Sequence, residues 1–406
     1  MYQLDVYGTL VAATLVLLLG RKLVKTVPFL EKYTIPEPVA GGLLVAIVLL
    51  GFKSGMDLEV KFDDSLKDPL MLAFFATIGL NANLASLRAG GKTLFIFVIA
   101  VVGLLIVQNT VGISLAKMMG LDPLIGLLAG SITLSGGHGT GAAWGKIFSD
   151  SYGFTAATEI AIACATFGLV LGGLVARFLI KKTAMSDVKL QDDEAPTAFE
   201  KPQAGRMITS MVLLETIALI AICLLAGTYL SGKLSAFFTS MEWKFQIPTF
   251  VCVLFIGVIL SNSLSLMGFY RVFERAVSVL GNVSLSLFLA MALMSLKLWE
   301  IASLAVPMLV ILAAQTIVMA LYAVFVTYRV MGKNYDAAVL AAGHCGFGMG
   351  ATPTAIANMQ AVTDRFGPSH VAFLVVPMVG AFFLDLINAL VIPFFLALPV
   401  FPVAGG

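Results

Sequence analysis

Charge is what this sequence lacks. Only 12% of its 406 residues are Asp, Glu, Lys or Arg, against roughly a quarter in soluble domains, where charge keeps the surface wet. That shortage excludes a water-soluble protein built of buried helices. Histidine is scarcer still, with three residues, and the four cysteines (Cys164, Cys223, Cys252 and Cys345) stand singly in apolar segments. No zinc-type pair and no secreted disulfide spacing is present, so small, buried thiols are expected. There is no HExxH and no nucleophile–base pair at recognisable spacing, which leaves an intramembrane enzyme without a catalytic constellation. The net charge of +2 is divided across a membrane and carries no nucleic-acid signal; no nucleic-acid partner is expected.

Apolar sequence is what is plentiful. Hydrophobic residues make up 59% of the chain and the mean hydropathy is +0.99. Long apolar runs recur at Val6–Gly20, Val39–Gly51, Thr93–Met118, Phe154–Ile180, Ile208–Leu230 and Ile301–Val326. A bilayer span needs roughly 20 mainly apolar residues, so the chain reads as a multi-pass protein of the lipid bilayer. The first run is not a cleavable leader, because Asp5 precedes it and Arg21, Lys22 and Lys25 follow it. That polarity is the reverse of a signal peptide and puts the N-terminus outside.

One long polar stretch, Lys181–Arg206, interrupts the pattern with Pro196, Pro202, Gly205 and mixed charge. It reads as a hydrophilic linker on the cytoplasmic side, dividing residues 1–180 from 207–406. The halves share landmarks in one order. Leu72–Leu84 resembles Leu287–Leu298, and a Gly-rich stretch follows each, at Ser135–Gly145 and Gly343–Pro353. Asp122 and Asp336, Gly153 and Gly367, and Leu84 and Leu298 are each 214 positions apart. The expected fold is an all-α integral membrane protein of two repeats, each with five spans and a Gly-rich re-entrant loop, at about 124–150 and 336–364. An odd span count makes the second repeat cross in the opposite sense, giving inverted topology with a site where the repeats meet. Charge agrees with this path: all eight arginines fall on or near the inside, and the outside loop Lys53–Asp68 is acidic on balance. Both termini are then outside.

The Gly-rich stretches carry the chemistry. Each Gly in a helix interior costs about 0.8–1.0 kcal/mol relative to Ala, so SGGHGTG is expected to be non-helical. Such backbone at membrane depth is tolerated only inside protein or beside a wet cavity, and glycine lets amides approach a ligand closely. The competing reading is tight helix packing, but packing motifs space glycines at four, whereas these crowd at two among Ser135, His138, Thr140, His344 and Thr352. A nucleotide fingerprint would need a preceding strand and a soluble βαβ unit. His138 and His344 have no convergent metal-ligand set around them, which favours orienting backbone or bonding substrate.

Among ionisable and amide residues, Asp385 lies in GAFFLDLINALVIPFF with Asn388 one turn on. An intramembrane carboxylate is costly enough to be functional by default; it would hold a sodium ion, pair with a substrate ammonium, or bond a neighbouring helix. Glu159 opens the span after the first loop, near the outer interface. Gln108, Asn109 and Gln315 sit inside apolar spans ahead of the Gly-rich loops, where they glue helices or line the pathway. Asn81 and Asn83 mark a broken helix end.

The opening LDVYGTLVAATLVLLLG, IPEPVAGGLL at Ile35–Leu44, SGGHGTGAAWG, and GHCGFGMGATPTAIANM at Gly343–Met359 together resemble the bacterial glutamate:sodium symporter family along most of the chain. The resemblance implies a sodium-driven importer of L-glutamate in the bacterial inner membrane, with sodium as coupling ion and only metal, and no cofactor. It also implies that the re-entrant loops meet near the substrate, and that a mobile core slides against a homodimeric scaffold. Carried over by position, the substrate loops are Gly136, Gly137, His138, Gly139 and Thr140, and Gly343, His344, Cys345, Gly346, Phe347, Gly348 and Gly350. Ser135, Thr140, Thr352 and Thr354 would add hydroxyls. Asp385, Asn388, Gln108, Asn109, Gln315 and Glu159 are the cation candidates. Cys345 and Phe347 interrupt the second loop, so the two loops are expected to have unequal roles. Another small carboxylate such as a 2-hydroxycarboxylate fits the same scaffold, whereas a passive channel would want rings of polar residues along a pore.

Overall fold

A computed structural model describes residues 2–33, 35–56, 59–82, 86–168, 208–241, 247–268, 270–298 and 304–401. The linker Lys181–Arg206 and Asn83 lie outside the described residues. Among the described residues the regular structure is helical apart from two short strands, β1 (Tyr2–Gln3) and β2 (Val60–Lys61), which pair in parallel. Helix α1 (Val6–Thr26) starts on Asp5, whose carboxylate accepts from the Gly8 amide, and the short α2 (Pro28–Lys32) leads to α3 (Glu37–Met56). Then come α4 (Lys67–Leu80), α5 (Ser86–Met118), α6 (Pro123–Leu127), α7 (Gly137–Tyr152) and α8 (Ala157–Gly168). The second half runs α9 (Ser210–Ser240), α10 (Thr249–Leu266), α11 (Glu274–Met294), α12 (Ala305–Tyr322) and α13 (Tyr328–Val330). It ends with α14 (Tyr335–Gly348), α15 (Thr352–Phe366), α16 (His370–Met378) and α17 (Leu384–Leu396).

Among the described residues, eight helices are long and apolar enough to cross a membrane, and α8 is apolar but shorter. Helix α4 has 14 residues and stops at Asn81, the expected helix end. Packing divides the helices into two groups. Helices α1, α3, α4, α9, α10 and α11 pack on one another, and α5, α6 and α12 to α17 form the other set. Small residues set the crossings in both. An added methyl at Gly79 would lie 2.1 Å from the Leu254 carbonyl oxygen, and one at Gly112 would lie 2.1 Å from that of Gly126. Backbones can touch this closely only where no Cβ intervenes. Helix α7 bridges the groups: a methyl at Gly139 would meet Phe74 at 3.0 Å and Leu285 at 3.1 Å.

One expectation from composition is corrected. The Gly-rich stretches are largely helical: α7 begins at Gly137, and α14 runs through Gly343, Gly346 and Gly348. Their glycines serve close packing. A Cβ at Gly346 would come within 2.3 Å of the Ala355 Cα, and one at Gly343 within 2.9 Å of Val376. The helix-propensity cost of about 1 kcal/mol per Gly is outweighed by letting α14 lie directly against α15 and α16.

Candidate functional site

The irregular backbone is confined to short breaks beside those glycines. In the first half α6 passes into a π-type turn at Leu128–Ile132 in which Gly130 leaves helical geometry, and the chain restarts at Gly137 with φ +68°. In the second, α14 stops at Gly348, and a turn at Met349–Gly350 followed by the extended Ala351 leads to α15, where Pro353 sits in the first turn. Proline lacks an N–H and has a fixed φ, which suits a helix start. The two breaks touch. A methyl at Gly137 would stand 3.5 Å from the Gly350 carbonyl oxygen, and the Ser135 hydroxyl lies 3.3 Å from that of Gly348.

Amide side chains bind these breaks together. Gln108 of α5, fully buried, donates Nε2 to the Gly348 carbonyl (2.6 Å) and accepts from Ser135 Oγ at Oε1 (2.7 Å). Gln315 of α12 donates to the Gln108 carbonyl (2.7 Å). Asn109 accepts from the Ser131 amide (2.9 Å). Asn388 of α17 accepts from Ser131 Oγ (2.7 Å) and donates to the Ser131 carbonyl (2.9 Å). One turn before it, Asp385 accepts from Thr140 Oγ1 at 3.3 Å. Five of the six cation candidates therefore converge on the breaks. Asn109 Nδ2 and Gln315 Oε1 are buried there without a hydrogen-bond partner, and buried polar groups are normally paired.

Other candidates go elsewhere. Glu159 accepts from the Lys297 amide (3.0 Å), tying α8 to the end of α11. His344 sits in an aromatic cage of Phe97, Tyr322 and Phe347, with Nδ1 2.9 Å from Thr327 Oγ1. His138 pairs with Thr166 (3.1 Å). Cys345 is buried with the other three free cysteines. Thr352 borders the π-type turn Val379–Phe383, 3.1 Å from where a Cβ on Gly380 would stand, and Thr354 is buried. Two residues that composition did not single out are central: Ser131, which bonds both α5 and α17, and Thr327, which holds His344. A lone serine in LIGLLAGSITL is a weak signal, and only the fold shows what it faces.

Two cavities lie along the seam between the helix groups. One of about 320 Å³ is lined by Phe74, Thr77, Asn81, Glu274, Ser278 and Phe382, among others. The other, about 380 Å³, is lined by Met71, Trp144, Lys146, Asp150, Ser231 and Phe250, among others. In it Lys146 of α7 pairs with its own helix at Asp150 (2.6 Å) and across the seam with Asp68 (3.6 Å). Both cavities reach α4, on either side of the contact of Phe74 with Gly139.

The chemistry available at the breaks is directional. The starts of α7 and α15 carry the positive ends of helix dipoles, which suit anions. The end of α14 and the turn at Leu128–Ile132 present carbonyls, which with Asp385, Thr140 and the amide oxygens suit a hard cation.

Comparison with known proteins bears on this arrangement. A family model described as sodium/glutamate symporter matches residues 2–368. A protein of Escherichia coli (strain K12) named sodium/glutamate symporter is 72% identical over 405 residues, which are 99% of this chain and 100% of that protein. One of the same name from Haemophilus influenzae is 53% identical over 394 residues, 96% of each. A solved sodium proton antiporter from Methanocaldococcus jannaschii aligns over 97% of this chain and 98% of its own, at 14% identity and a TM-score of 0.45, a likeness too loose to carry an argument.

Proposed function

This chain belongs to the sodium/glutamate symporter family, and from that premise we propose that it imports L-glutamate with sodium by alternating access. The observation that carries the site assignment is the meeting of the two backbone breaks, with Gln108 bonded to both. The substrate carboxylates lie against the amides opening α7 and α15, helped by Ser135, Thr140, Thr352 and Thr354. Sodium takes Asp385 and Thr140, with the amide network of Asn388, Asn109, Gln108 and Gln315 starting one turn on along α17 at Asn388. Helix α7 carries both Thr140 and the amides at its start, so sodium on Asp385 cancels a negative charge that would otherwise oppose an anion nearby. That makes binding of the two reciprocal.

On this reading each half contributes five spans to an inverted repeat, with the pairs α6–α7 and α14–α15 dipping in from opposite faces. Helices α1, α3, α4, α9, α10 and α11 form the scaffold, through which two copies pair. The remaining helices form the core that slides along the seam. Both termini face outward from the bacterial inner membrane, with Lys181–Arg206 inside. The test is uptake of labelled glutamate into liposomes with and without an inward sodium gradient; uptake that ignores sodium removes the symport reading.

A further inference from the structure

The 320 Å³ cavity on the seam has a lining chemistry that the transport reading leaves unused. Its polar wall consists of Thr77 and Asn81 from the end of α4 and Glu274, Ser278 and Asn282 from α11. The last three are spaced by four and share one face of the helix. Among the described residues, no lysine, arginine or histidine is in the lining. Asn81 Nδ2 donates to Ser278 Oγ (3.1 Å), which leaves Asn81 Oδ1 buried and without a partner. Thr77 donates its hydrogen to the Phe74 carbonyl (2.6 Å), so its lone pairs remain available. The positive end of α11 is met by Glu274 in its own first turn, whereas the negative end of α4 at Leu80–Asn81 meets no cationic lining group. Oxygen donors, one carboxylate and no competing cation make an environment for a hard monovalent cation. Phe382, three residues before Asp385, forms the opposite wall.

We infer that this cavity is a second cation site, a waypoint for sodium between Asp385 and the linker side of the membrane, with Glu274 supplying its charge and Asn81 Oδ1 a ligand. The inference rests on the transport reading and its orientation. Physically, a carboxylate there draws sodium off the core and disfavours return of the anionic substrate, so release inward is favoured over recapture.

The experiment uses the full chain in liposomes of known orientation, comparing wild type with Glu274→Gln. Sodium placed on the linker side should inhibit uptake by wild type, and its half-inhibiting concentration should rise at least five-fold in Glu274→Gln. The sodium requirement on the opposite side should stay within two-fold. Independently, Ile78→Cys places a thiol in the cavity wall among native cysteines that are buried. Sodium, but not choline, should slow its modification, and Glu274→Gln should abolish that protection. If uptake is sodium-driven but linker-side sodium acts alike on both proteins and protects Ile78→Cys in neither, the cavity is only a wet seam and the inference falls while the transport reading stands. If wild-type uptake ignores sodium, the transport reading falls and this site with it.

Discussion

Gln108→Leu is the sharpest perturbation of the site, because one side chain bonds both breaks. Leucine has similar volume and keeps the helix, but removes the 2.6 Å bond to the Gly348 carbonyl and the 2.7 Å bond from Ser135. Hydrogen bonds between membrane helices are worth about 0.6 kcal/mol on average and up to about 1.7. Two such bonds at a fully buried position give roughly 1–3 kcal/mol, and a central value near 2 corresponds to about thirty-fold in affinity, since 1.4 kcal/mol is ten-fold. The Gly348 carbonyl keeps a weaker contact with Ser135 at 3.3 Å, which sets the lower end. The assay is the half-saturating glutamate concentration for uptake in liposomes at saturating sodium, with thermal unfolding in detergent as a control for folding. A folded variant within two-fold of wild type would refute the claim that the joined breaks form the substrate site.

Asp385→Asn should fold and yet raise the half-saturating sodium concentration at least ten-fold; unchanged sodium and glutamate affinities would make Asp385 a structural hydrogen-bond partner of Thr140. Gly346→Ala should unfold or inactivate the protein, because its Cβ would press within 2.3 Å of the Ala355 backbone, while Gly51→Ala, with nothing within 4 Å, should be neutral or stabilising by about 1 kcal/mol in thermal melts. A cysteine at Ser65 should react with an impermeant thiol reagent from outside and one at Gln191 should not; equal labelling of both would overturn the five-span count per repeat.

Which features were legible in the sequence depended on whether they are local. Apolar runs became helices because hydrophobicity over about 20 residues has few other outlets. The landmarks Gly153 and Gly367 stand at matching positions for a backbone reason: each ends the second helix of a broken pair with positive φ, +68° and +106°, a conformation glycine adopts without steric cost. Asn81 was legible as a helix end for a similar reason. The Gly-rich stretches were misread as loops because propensity counts only the cost of each glycine. It does not see that Gly343 and Gly346 bring α14 against Val376 and Ala355. The surroundings of His344 were illegible for the same reason, since its aromatic cage draws on Phe97 and Tyr322, far away in sequence. The convergence of Gln108, Asn388 and Ser131 is tertiary, and composition supplied only the individual amides.

No arginine is among the residues that build the breaks, although the proposed cargo is an anion. A fixed cation there would hold the carboxylate whether or not sodium were bound, and it would repel sodium from Asp385. Backbone amides at the starts of α7 and α15 avoid both problems: they attract an anion through partial charges and leave the balance of full charges to the carboxylate and the ion. With Asp385 ionised and empty, an approaching glutamate meets a like charge in a poorly screened interior, where Coulomb energies exceed those in water several-fold. With sodium in place that opposition is gone. On the proposed placement of substrate and sodium, coupling follows from what the site is built of: neutral donors beside a carboxylate.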